Sequence, residues 1–118
     1  MLKAVTRQRN QPAPPSVMFE ALTEPNRDPE RQWLLLTESE RQPAVLEEVK
    51  PDLVVWSSLW NEHPGARIRF DLPHGRSGTD LRWTLFLDEP LPGLDEIQQM
   101  RRRINKLIND NLRQTFDQ

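Results

Sequence analysis

Arg101 and Asn111 are the polar side chains best placed to hold a ligand, because Arg101 falls on an apolar helical stripe and Asn111 at its margin. A guanidinium or carboxamide on a buried face costs free energy unless it is paired. Inside a cavity the two would fix a carboxylate or a carbonyl. Arg101 also fits a second reading, in which it lies near the helix start and reaches water beside Asp95 or Glu96. His63 and His74 sit in turn-like segments beside Pro64 and Gly75. No His-x-x-x-His or cysteine spacing accompanies them, so no metal ligand set is assigned. Ser57 and Ser58, next to Trp56, offer cavity hydroxyls, but nothing resembles the base and strained elbow of a serine nucleophile. Glu38, Glu40, Glu47 and Glu48 do not form an acid–base pair by adjacency, since consecutive strand residues point to opposite faces. No catalytic residue and no cofactor is assigned.

The chain that must position these groups has 118 residues, enough for one domain spanning 1–118 and too few for two ordinary ones. Its 36% hydrophobic and 29% charged residues describe a hydrophilic globular chain. A formal charge of −2 supplies no global attraction for nucleic acid or an anionic membrane. The basic cluster Arg101-Arg102-Arg103 spreads by roughly 100° per residue on a helix and makes no single patch. With no cysteine there is no disulfide scaffold, which suits a cytoplasmic location. Residues 1–10 contain no apolar core of a signal peptide, and no apolar run approaches the ~18 residues of a membrane span. Tyrosine is absent, so aromatic ligand contacts fall to Trp or Phe.

Loose alternation predicts a strand over 2–9, and a proline-rich break follows. Residues 14–22 read as a short helix, with proline tolerated in its first turn. A second short helical or irregular piece spans 26–32, and the apolar run 33–37 fits a strand or a helix tail. Strands are expected over 44–49 and 53–60. Cleanly alternating strands follow over 67–72 and 80–87, joined by the turn residues 73–78. Their inner sets are Ile68, Phe70 and Leu72, and Leu81, Trp83, Leu85 and Leu87. Arg82 and Asp71, or Asp80 and Arg69, would pair across the wet face. A long amphipathic helix is expected over 94–116, with Ile97, Arg101, Ile104, Ile108, Leu112 and Thr115 on one face. Such a stripe must rest on something, and the inner faces of the strands are the available surface.

This order of elements, strand, short helices, antiparallel strands and a long final helix, resembles the helix-grip fold of the START-like superfamily, which includes polyketide cyclase/dehydrase-like and SRPBCC proteins. The stretch Pro12-Ala13-Pro14-Pro15-Ser16-Val17-Met18-Phe19-Glu20-Ala21-Leu22-Thr23-Glu24-Pro25 looks like the opening of that superfamily. Val54-Val55-Trp56-Ser57-Ser58-Leu59-Trp60, followed by Ile68-Arg69-Phe70-Asp71-Leu72 and Leu81-Arg82-Trp83-Thr84-Leu85, is similar to a short, mostly bacterial SRPBCC subgroup. The resemblance implies an α+β fold: a curved antiparallel β-sheet, two short helices near the N-terminus and a long C-terminal helix packed on the sheet.

It also implies a cavity between sheet and helix. The lining would come from Trp56, Trp60, Phe70, Trp83, Leu85, Ile97, Arg101, Ile104, Ile108 and Asn111, and the plainer reading of the apolar members is a filled core. The expected function is binding of a small apolar or amphipathic molecule, with no nucleic-acid partner. The alternatives are a protein-interaction module resembling the Hsp90-activator-like branch and an enzyme of the cyclase or dehydrase kind; a homodimer is a separate partner expectation. The enzyme would need an ionisable group buried in the cavity.

Overall fold

The computed structural model describes residues 1–116. Its strands are β1 (Leu2–Gln11), β2 (Val45–Val49), β3 (Leu53–Trp56), β4 (Arg67–Asp71) and β5 (Thr79–Leu87). The helices are α1 (Pro15–Thr23) and α2 (Leu94–Asn105), the latter continued by a π-helical stretch (Lys106–Leu112) and a last turn, α3 (Arg113–Thr115). The strands form one antiparallel sheet in the order β1-β5-β4-β3-β2. This is the expected α+β arrangement, with the long helical rod on one face.

Strict alternation explains the centre of the sheet. Ile68 and Phe70 on β4, and Leu81, Trp83 and Leu85 on β5, are all buried on the helix side. Phe70 stands opposite Trp83, and Ile68 opposite Leu85. The other face is polar: Asp71 accepts from Arg69 at 3.1 Å and from Arg82 at 3.4 Å. The Arg82 pairing was expected. Asp80 instead accepts from the Asn10 carboxamide rather than meeting Arg69.

Three segments differ from the sequence expectation. Only one of the two short helices forms, since 26–32 is a series of turns. Pro25 precedes it and Pro29 falls within it, and Asp28 turns its carboxylate onto the Glu30 N–H at 2.9 Å, closing a local loop in place of a helical turn. Residues 33–37 join no strand ladder and run as irregular chain. The strand expected over 53–60 stops at Trp56, because the Ser58 hydroxyl accepts from Trp60 N–H at 2.9 Å and donates to Trp60 carbonyl at 3.1 Å. A side chain bonding the backbone locally competes with the sheet.

The helical rod buries Met100, Ile104, Leu107, Ile108 and Leu112. At roughly 100° per residue an uninterrupted α-helix would centre this face on Asn111 and turn Leu112 away. The π-helical stretch advances less per residue, so Leu112 moves to the centre, at 0% exposure, and Asn111 moves to the half-buried margin. An unpaired buried carboxamide is avoided in this way.

Candidate functional site

Six of the ten residues expected to line a cavity are part of one filled core. Trp56, Phe70, Trp83, Leu85, Ile104 and Ile108 are each no more than 1% exposed. Their polar handles are occupied. The Trp56 indole N–H donates to Leu22 carbonyl at 2.8 Å, and that of Trp83 to the Asn105 carboxamide oxygen at 3.2 Å. Phe70 meets Trp56 edge-on, with ring centroids 4.8 Å apart. Ile97, Trp60 and Asn111 are half-buried around this core. Ser58 is fully buried by its turn bonds, and Ser57 accepts from Ala44 N–H, so both serines have structural partners.

Arg101 lies outside the space between sheet and helix. It lines a shallow cleft with Arg9, Arg102, Asn105, Lys106, Asn109 and Asp110, on the flank where β1 runs beside the rod. Arg9 reaches this flank because its register partner is the inward Leu81. Beneath the cleft a chain of carboxamides crosses to the sheet. Gln11 donates to Asn109 at 2.9 Å, and Asn109 to Asn105 at 3.2 Å. Arg103 points elsewhere, to a nearly buried carboxylate. Its guanidinium grips Glu40 through Nε at 2.7 Å and Nη2 at 2.8 Å. Burial draws the Glu40 carboxyl upward, but the hydrogen bonds from Arg103 and Thr37 and the Arg103 charge outweigh it, leaving Glu40 below its ordinary 4.5.

A further open concavity lies where the sequence did not point. It is a groove of about 560 Å³ between α1, the turns 25–33 and the end of the rod. Ala13, Val17 and Ala21 supply one apolar wall, while Trp33 and Phe116 supply the other. Arg31 closes one end, with its guanidinium 4.6 Å from the Phe116 ring centroid and a hydrogen bond to Thr115 carbonyl at 3.0 Å. Arg27 pairs with Glu20 and Glu24 across the rim. Trp33 stacks on Trp56 at 6.0 Å, so an aromatic column runs from Phe70 in the core to the groove wall. The buried Trp33 indole N–H has no acceptor among the described residues. Sequence reasoning missed the groove because its walls are about a hundred positions apart, from Ala13 to Phe116.

A second cleft, of about 260 Å³, joins the turn after β3 to the first turns of α2. It holds Trp60, Glu40, Arg103 and His63, the last with its Nε2 3.0 Å from the Glu96 carboxylate. His74 is exposed at the far hairpin. Among the described residues no helix is long and apolar enough to cross a membrane.

No family model and no curated protein matches the chain. Solved structures do. The Aha1 dimer from Colwellia psychrerythraea superposes with a TM-score of 0.71 at 17% identity, covering 96% of this chain and 94% of that one. An AHSA1-like protein from Rhizobium etli gives 0.64 at 20% identity, over 89% of this chain and 76% of the other. CalU16 from Micromonospora echinospora gives 0.64 at 16%, over 88% and 68%. The chain shares with these structures, over nearly its whole length, one fold: a curved antiparallel sheet gripping a long C-terminal helix, the helix-grip fold.

Proposed function

We propose that the protein binds a small apolar or amphipathic molecule, and that it does so in the groove between α1 and Phe116 rather than between sheet and helix. The observation that carries this reading is the groove itself. Its volume, about 560 Å³, lies within the roughly 300–1,000 Å³ of ordinary small-molecule sites. Its wall also includes Trp33, whose N–H lacks an acceptor. Leaving such a donor unpaired costs about 1–3 kcal/mol. A ligand with an apolar body and one accepting oxygen would suit both features after a small shift of the wall. The core residues Phe70, Trp83 and Ile108 support this placement by filling the alternative space.

Fluorescence titration with decanoate and with 1-anilinonaphthalene-8-sulfonate tests the reading. Saturable binding is expected, weakened at least tenfold by Val17→Trp, which fills the groove from α1 while leaving the far-ultraviolet spectrum unchanged. Absence of saturation by both probes, or binding indifferent to Val17→Trp, would refute it.

One observation favours a second reading, association with another copy of the chain. Among the described residues the outer edge of β2 is unpaired, and Leu46 and Val49 on it are 47% and 50% exposed. A neighbour of the same fold is described as a dimer. Glu47 and Glu48 on the same strand oppose close pairing of two such edges, so this reading ranks second. A concentration-independent monomer in light scattering would remove it.

A further inference from the structure

Outside the groove, one cluster of side chains has the composition and spacing of a cation site. Glu62 and His63 lie in the turn that follows β3, and Glu96 lies in the first turn of α2. One donor atom from each of these residues lies within 4.8 Å of the other two. The closest pair is His63 Nε2 and Glu96 Oε1, at 3.0 Å. Ligands around a tetrahedral zinc at about 2.1 Å stand roughly 3.4 Å apart, so small side-chain movements bring this set onto one ion.

The neighbourhood supports the same conclusion. Arg103 shares the cleft, but Glu40 neutralises it through two hydrogen bonds, so it does not compete for Glu96. The His63 backbone is held on both sides, its N–H donating to Trp60 carbonyl at 3.1 Å and its carbonyl accepting from Ala66 N–H at 3.1 Å. The ring is half-buried, with 23% of its side chain exposed. The cleft of about 260 Å³ leaves room for water to complete the coordination shell. Two carboxylates match a divalent charge. The imidazole nitrogen selects the zinc class of ion over magnesium or calcium, which take oxygen donors.

We propose that Glu62, His63 and Glu96 form a binding site for a zinc-class divalent cation. The ion would fasten the 61–66 turn to α2, two segments joined here by the His63–Glu96 hydrogen bond. This site is independent of the groove, so failure of one leaves the other standing.

The test is calorimetric titration of the full chain, first stripped with chelator, with zinc chloride at pH 7.5. One equivalent is expected to bind, and magnesium chloride is expected to give no comparable heat. His63→Ala and Glu96→Gln should each weaken binding at least tenfold, while His74→Ala should leave it unchanged. Zinc should raise the melting temperature of the unsubstituted protein and not that of His63→Ala. Zinc binding unaffected by either His63→Ala or Glu96→Gln would overturn the proposal. So would equal affinity for magnesium, or equal loss in His74→Ala.

Discussion

Replacing Glu40 by glutamine should cost about 3 kcal/mol of stability at neutral pH. The Glu40 carboxylate accepts three hydrogen bonds: Arg103 Nε at 2.7 Å, Arg103 Nη2 at 2.8 Å and Thr37 N–H at 2.9 Å. Its side chain is 4% exposed and that of Arg103 20%. Breaking a fully buried pair by removing one partner costs roughly 3–5 kcal/mol, because the remaining charge loses its counter-ion. The lower end applies here, since glutamine keeps one accepting oxygen and Arg103 retains both some water and the Leu35 carbonyl, 2.6 Å from its Nη2. For a domain of this length, about 3 kcal/mol lowers the melting temperature by roughly 12 °C. The pH dependence has a definite sign. The folded-state pKa of Glu40 lies below 4.5, so its contribution is complete above that value and is lost as pH falls through the lowered one. Urea denaturation at pH 7 and at pH 3 should therefore show a large gap between parent and Glu40→Gln that narrows in acid. Glu40→Leu combined with Arg103→Met should recover most of the loss, as apolar replacements of buried pairs do. A cost under about 1 kcal/mol at pH 7, the range of exposed pairs, would refute the reasoning.

Other perturbations read different parts of the molecule. Ile108→Ala, at a fully buried position of the rod, should cost about 3 kcal/mol in urea denaturation. Asn105→Leu removes the acceptor shared by Trp83 and Asn109 and should cost about 1–3 kcal/mol by the same assay; a neutral result would mean these donors find other partners. Gly78→Ala should prevent folding, visible as collapsed amide dispersion in NMR spectra. Gly78 has φ +66°, and an added Cβ would stand 1.9 Å from the Gln11 carbonyl oxygen.

The sheet and rod were legible because their signals are local and periodic. Arg67–Asp71 and the run through Leu87 alternate with little ambiguity, and the residues after Gly93 keep helical spacing. Segments where side chains bond their own backbone were harder to read. Ser58 ends β3 and Asp28 breaks a helix, and neither effect shows in hydrophobic pattern. Arg101 misled for a different reason. Equal angular steps put it within the apolar stripe, whereas the buried face centres on Met100 and Leu107 and the π-helical stretch resets the register further along. Both candidate sites depend on contacts between distant segments. Phe116 meets Trp33 across the groove, and Glu96 meets His63 across the turn. Single-sequence periodicity carries no information about such pairs.

The pairing of β1 with β5 has a consequence for how the chain is made. Thr6 bonds the carbonyl of Trp83, 77 positions later, and among the described residues β1 has no other strand neighbour. Arg113, near the end of the rod, donates to the carbonyl of Asn10. The strand of this sheet that comes earliest in the sequence therefore waits, unpaired, until β5 has been synthesised. Sheets closed by such distant contacts form slowly, since the loop entropy is lost before the contacts reward it. During that interval the nascent segment depends on Lys3, Arg7 and Arg9, spaced along β1, to keep it from joining a neighbouring chain.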